Sequence, residues 1–163
     1  MLDLDNTLWD FDANANMALE ELFHRHHLHL RTGNTSAYFI QEYKKINNSY
    51  WERYEKGEIS KDFLRTKRFT DVFLKMGIPE DEHPENLWEE YLDICPKMTV
   101  MVEGAMDFLR FFDQKVNIGI VTNGFEQTQN IKIRESSIDQ YIDFMLTSEG
   151  AGCAKPSPEI FRM

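Results

Sequence analysis

Asp3 and Asp5 flank Leu4, and in extended backbone this spacing sends both carboxylates to one side and Leu4 to the other. Two carboxylates that close resist ionising together without a cation, and unequal surroundings let one hold a proton that the other does not. One then suits a nucleophile and the other a general acid and base. Alone, such a pair is more often solvated surface. Thr122-Asn123-Gly124 closes the apolar run 116–121. Its hydroxyl, amide and glycine-turn N–H groups have the makings of an anion cradle, although a helix N-cap followed by a permissive glycine is the plainer reading. Lys155-Pro156 adds an ammonium on backbone that the proline biases towards an extended form, where an isolated lysine is usually only solvated.

These residues matter together only if the fold brings them together. The opening 1–5 reads as a short strand closed by the turn residues Asn6-Thr7. Residues 12–97 read as helices, with faces at Met17, Leu19, Leu22 and Phe23, at Tyr43, Ile46, Tyr50, Trp51 and Tyr54, and at Phe63, Phe69, Phe73 and Leu74. Gly33-Asn34, Gly57, Gly77 to Pro79 and Pro84 punctuate them. After Pro96 the pattern alternates: helix 105–112, buried strand 116–121, helix 127–138, strand 144–146, and a helix from Glu159. Strands alternating with helices predict an α/β fold, a parallel Rossmann-type sheet flanked by helices, with ligands bound beyond the carboxyl ends of its strands. The domains expected are a core of 1–11 with 98–163 and an inserted all-α domain of 12–97.

The chain has 163 residues, a formal charge of −10 and only Cys95 and Cys153. That length buries a core without disulfides or a structural metal. The acidic balance argues against nucleic acid and anionic membranes as partners, and the two separated cysteines fit a reducing cytoplasm better than a secreted or zinc scaffold. No apolar run approaches a membrane span, and Met1 is followed by Asp3 and Asp5 instead of a basic-then-apolar leader.

Taken in order, Asp3-Leu4-Asp5-Asn6-Thr7, the strand ending in Thr122-Asn123 and Lys155-Pro156 resemble the first, second and third motifs of the haloacid dehalogenase (HAD) superfamily. The resemblance covers essentially the whole chain, with 12–97 matching the helical cap. Finer stretches, 5–9, 54–60 leading to Arg68-Phe69, and 120–125, are similar to the cytosolic pyrimidine 5′-nucleotidases of that superfamily.

The resemblance implies a magnesium-dependent hydrolase of phosphomonoesters, with nucleoside 5′-monophosphates as the expected substrates. Asp3 would form an aspartyl-phosphate; Asp5 would protonate the leaving alkoxide and then activate water. Thr122, Asn123, Gly124 and Lys155 would bind the phosphoryl group. Mg2+ would sit on the Asp3 carboxylate and the Asp5 carbonyl. Dehalogenases of the superfamily lack an acid at the position of Asp5, which disfavours carbon–halogen cleavage. A phosphotransferase or mutase, or a non-catalytic binding module, is the alternative. The family's fourth motif, an acidic cluster that completes the metal shell, has no counterpart after Lys155, and only Met1 and Leu2 precede Asp3. The core is therefore expected to be incomplete at both ends and the chain as written a poor enzyme.

Other residues read more plainly. His24, His26, His27 and His29 have no Cys or acid beside them and read as a solvated helix end. The Tyr43, Tyr50, Trp51, Tyr54 stripe reads as core, Trp9 and Phe11 as candidates for the pocket wall, and Cys153 as a small buried hydrophobe.

Overall fold

The computed structural model describes residues 1–162. Its elements run α1 (Phe11–Arg25), α2 (Leu28–Thr32), α3 (Ser36–Glu55), α4 (Lys61–Lys75), α5 (Leu87–Ile94), α6 (Ala105–Phe112), β1 (Gly119–Thr122), α7 (Glu126–Glu135), β2 (Phe144–Thr147) and α8 (Ser148–Ala151), with 3-10 turns between several of them. The chain divides into two compact units, Met1–Ala15 with the chain from Ile94 onward, and Asn16–Asp93.

In the first unit β1 and β2 pair in parallel, Ile120 facing Met145 and Thr122 facing Thr147. Every residue of β1 is buried, as expected of a central parallel strand. Residues 1–5 do not form the full strand that their pattern predicts. Leu2 makes one parallel bridge to Ile120, its N–H donating to the Gly119 carbonyl at 2.8 Å and its carbonyl accepting from Val121 N–H at 2.8 Å. The chain then turns, because the Leu4 carbonyl collects the N–H groups of Thr7, Leu8 and Trp9 and Asn6 takes a left-handed φ of 56°.

The second predicted strand is also shifted. The Ile118 N–H is taken by the Asp143 carboxylate at 2.6 Å, so the ladder opens at Gly119 and Val116 is left exposed. Helix α7 stops at Glu135 because Ser137 adopts a φ of 55°. The helix expected from Glu159 is a 3-10 turn, Pro158–Phe161, capped by the Ser157 hydroxyl.

The other unit is helical throughout. Thr35 and Ser60 cap α3 and α4, their side chains accepting from the N–H groups of Tyr38 and Phe63. The buried face of α3 carries Phe39, Tyr43, Asn47 and Tyr50, and that of α4 carries Leu64, Arg68, Phe69, Val72 and Phe73. Tyr43 packs on Phe69 with ring centroids 5.1 Å apart. The α4 face is rotated from the one expected, so Phe63 and Leu74 point outward, as Met17 does on α1. The displaced positions include a polar residue, since buried Arg68 donates to Asn47 Oδ1 at 2.8 Å and lies 5.3 to 5.6 Å from the rings of Tyr43, Phe69 and Tyr91. Of the histidines, His26 faces the Glu90 carboxylate at 3.0 Å and His24 is largely exposed.

Tyr50 donates its hydroxyl proton to Asp71, which Lys67 also meets at 2.8 Å. Burial, then the hydrogen bond to Asp71, push the phenol from its ordinary 10.0 up to about 12. The folded state favours the neutral phenol, so this contribution is complete below the unfolded value and is lost as pH rises towards the folded one. In denaturant titrations, wild type should exceed Tyr50→Phe in stability at neutral pH, and the difference should shrink between about pH 10 and pH 12.

Candidate active site

Asp3 follows the bridging residue Leu2, and Thr122 is the last residue of β1, so both stand at carboxyl ends of the paired backbone. The two contacts of the Asp3 carboxylate fall on one oxygen, Oδ1, which accepts from the Leu4 N–H at 2.8 Å and pairs with Lys155 Nζ at 2.7 Å. The pair is part-exposed, 42% for the Asp3 side chain and 22% for that of Lys155.

The backbone of Lys155 is clamped by one side chain. Asn123 Oδ1 accepts its N–H at 2.8 Å and Asn123 Nδ2 donates to its carbonyl at 3.1 Å. A single amide with both a donor and an acceptor can satisfy the two backbone groups of one residue, which aspartate cannot do. The Asn123 side chain thus joins the loop after β1 to the loop carrying Lys155.

Asp5 is held from helix α7. Its Oδ1 pairs with Lys132 Nζ at 2.6 Å and its Oδ2 accepts from Gln129 Nε2 at 2.8 Å. Gln129 Nε2 also donates to Thr122 Oγ1 at 2.8 Å, and Thr122 Oγ1 accepts the Gly124 N–H at 3.0 Å. The Gly124 N–H, expected to be open to an anion, is thus engaged within the turn. Gly124 is needed for space: a Cβ there would lie 2.3 Å from Gln129 Nε2, and Gln129 is fully buried.

Gln129 and Lys132 escaped the sequence reading because lysine and glutamine are seldom fully buried. A signal was present, for Phe125, Gln129, Lys132 and Ile133 fall on one helical face, and two of the four are polar. The Lys132 ammonium lies 4.4 Å from the Trp9 ring and 5.5 Å from that of Phe11. Trp9 is completely buried, with its indole N–H donating to the Met98 carbonyl at 2.9 Å, so it floors Lys132 and does not line a pocket. Cys153 is half-buried, more open than expected.

The donor chemistry suits a hard cation such as Mg2+, which takes oxygen ligands. Asp3 offers a part-exposed carboxylate. The bridge between Asp5 and Trp9 runs through the Leu4 carbonyl and the Asn6 N–H, leaving the Asp5 carbonyl outside it. Among the described residues no cluster of three or more His, Cys, Asp or Glu side chains is arranged to hold a metal.

The first unit is thus an α/β core with aspartates after its first paired segment, a threonine closing β1 and a lysine after β2. The family model described as haloacid dehalogenase-like hydrolase matches residues 1–163, and the chain belongs to that family. It is 29% identical over 161 residues to YfnB of Bacillus subtilis (strain 168), named as a HAD-hydrolase, covering 99% of this chain and 66% of that protein. It is 27% identical over 159 residues to the pyrimidine 5′-nucleotidase YjjG of Escherichia coli (strain K12), covering 98% of this chain and 66% of that protein. The chain therefore spans just under two thirds of the length of these curated relatives.

Among solved structures, YfnB bound to magnesium superposes with a TM-score of 0.82 at 29% identity, over 98% of this chain and 69% of that one. The defluorinating L-2-haloacid dehalogenase Rha0230, at 17% identity and a TM-score of 0.78 over 98% of this chain and 64% of that one, shares the fold. No helix among the described residues is long and apolar enough to cross a membrane.

Replacing Asn123 by alanine removes both hydrogen bonds to Lys155, each worth about 1 kcal/mol net. Urea denaturation of Asn123→Ala should show a loss of about 1 to 2 kcal/mol, with the m-value unchanged.

Proposed function

We propose that the protein is a magnesium-dependent phosphomonoesterase that works through an aspartyl-phosphate on Asp3, with nucleoside 5′-monophosphates as its substrates. The observation that carries this reading is the part-exposed Asp3 carboxylate paired with Lys155 at 2.7 Å, beside an independently held Asp5. Similarity to YjjG, named as a pyrimidine 5′-nucleotidase, supports the substrate class.

In the first half-reaction a carboxylate oxygen of Asp3 attacks phosphorus, the P–O bond to the leaving group breaks, and Asp5 gives its proton to the departing alkoxide. In the second half, water attacks the same phosphorus, Asp5 takes its proton, and the Asp3 carboxylate leaves with the electron pair of the broken bond. The Lys155 ammonium offsets charge on Asp3 and on the phosphoryl oxygens, and the Thr122 hydroxyl donates to one of those oxygens. Magnesium, when bound to the Asp3 carboxylate and the Asp5 carbonyl, supplies further stabilisation of the charge that builds on the transferring group. The segments 1–11 and 98–163 form the catalytic core, and the helical insert 12–97 acts as the cap that selects the substrate.

The test is magnesium-dependent phosphate release from a panel of nucleoside 5′-monophosphates, with acid-quench capture of a hydroxylamine-sensitive phosphoenzyme. Asp3→Asn should abolish capture and lower turnover by at least about 10³-fold. Normal turnover by that variant would remove Asp3 from the mechanism.

A further inference from the structure

We infer that Gln129 and Lys132 are positioning residues, which fix the Asp5 carboxylate and the Thr122 hydroxyl in one geometry for the same phosphoryl group. The inference rests on the proposed function and adds a role for two residues of α7 that none of the family's three motifs in this chain contains.

The argument starts from hydrogen-bond capacity. The Gln129 amide nitrogen has two hydrogens; one goes to Asp5 Oδ2 and the other to Thr122 Oγ1, both at 2.8 Å. The opposite amide orientation would set a carbonyl against a carboxylate, so Asp5 fixes which end faces it. Gln129 Oε1 is buried and accepts no hydrogen bond among the described residues, so the ties of this side chain run through its amide nitrogen.

Thr122 Oγ1 accepts from Gln129 and from the Gly124 N–H, which occupies both of its lone pairs. Its own proton must then point away from the two donors, making the hydroxyl a directed donor. Lys132 completes the arrangement. Its side chain is 5% exposed and its ammonium lies over the Trp9 ring at 4.4 Å, with little freedom to follow a moving carboxylate, and it meets the second oxygen of Asp5 at 2.6 Å. With both oxygens held, Asp5 keeps one rotamer through the cycle.

A misplacement of about 1 Å at a reacting group costs about 100-fold in rate. Lys132→Met and Gln129→Ala should therefore lower kcat by about 10- to 100-fold with KM within twofold. Lys132→Arg, which keeps a cation and N–H donors, should recover part of kcat. Gly124→Ala, which drives a methyl group into Gln129, should reproduce the Gln129→Ala pattern. Unchanged kcat, a loss confined to KM, or arginine no better than methionine would overturn the inference.

A second measurement does not depend on turnover. In wild type the Lys132 ammonium should be visible by NMR as a slowly exchanging signal, and Asp5→Asn should remove it. A wild-type ammonium in fast exchange would also overturn the inference. Failure of the proposed function would show separately, as normal turnover by Asp3→Asn.

Discussion

Two carboxylates two residues apart cannot share one end of a sheet without neutralisation, and the arrangement of the site follows from that constraint. Each aspartate has its own ammonium, Lys155 at 2.7 Å from Asp3 and Lys132 at 2.6 Å from Asp5. The two pairs differ in burial. Asp3 and Lys155 are open enough for water to screen them, so their attraction adds little to stability and gives way readily to a ligand. Lys132 is almost fully enclosed, and removing Asp5 would leave its ammonium poorly hydrated and unpaired. One pair is suited to change partners during a reaction, and the other to hold its carboxyl group in place while that group gains and loses a proton.

Backbone and side-chain amides hold this division in place. Asn123 satisfies both backbone groups of Lys155, and Gln129 links Asp5 to the hydroxyl of Thr122. A single atom near Gly124 would disrupt the second link, which is why a residue without a side chain stands there although its φ is not left-handed. The sheet ends are thus joined to one another by amides, and the charged groups ride on that frame. The helical unit meets a related problem with Arg68, a buried cation placed among aromatic rings and an asparagine oxygen.

The order of elements and the three motif segments were legible in the chain itself. Asp3 and Asp5 by their spacing, Thr122 and Asn123 by their place after an apolar run, and Lys155 by its proline are local features that need no knowledge of distant contacts. The helix 105–112 falls where its amphipathic pattern puts it. Strand limits were less legible. The Asp143 carboxylate that captures the Ile118 N–H and the turn gathered on the Leu4 carbonyl are competitions for backbone hydrogen bonds, which no period in the sequence reports.

What only the tertiary structure decided is which groups meet. The same i, i+3, i+4 pattern that buries an apolar stripe also buries Gln129 and Lys132, and only a partner carboxylate 124 or 127 residues away in the chain makes that burial tolerable. Likewise the role of Asn123 depends on a backbone segment 32 residues further on, and the need for a glycine at 124 on a side chain from the next helix. Local chemistry names the residues able to carry charge, because residue type and spacing are written in the chain. Long-range packing selects which of those charges are paired, since the free energy of a buried charge depends on what the fold sets beside it.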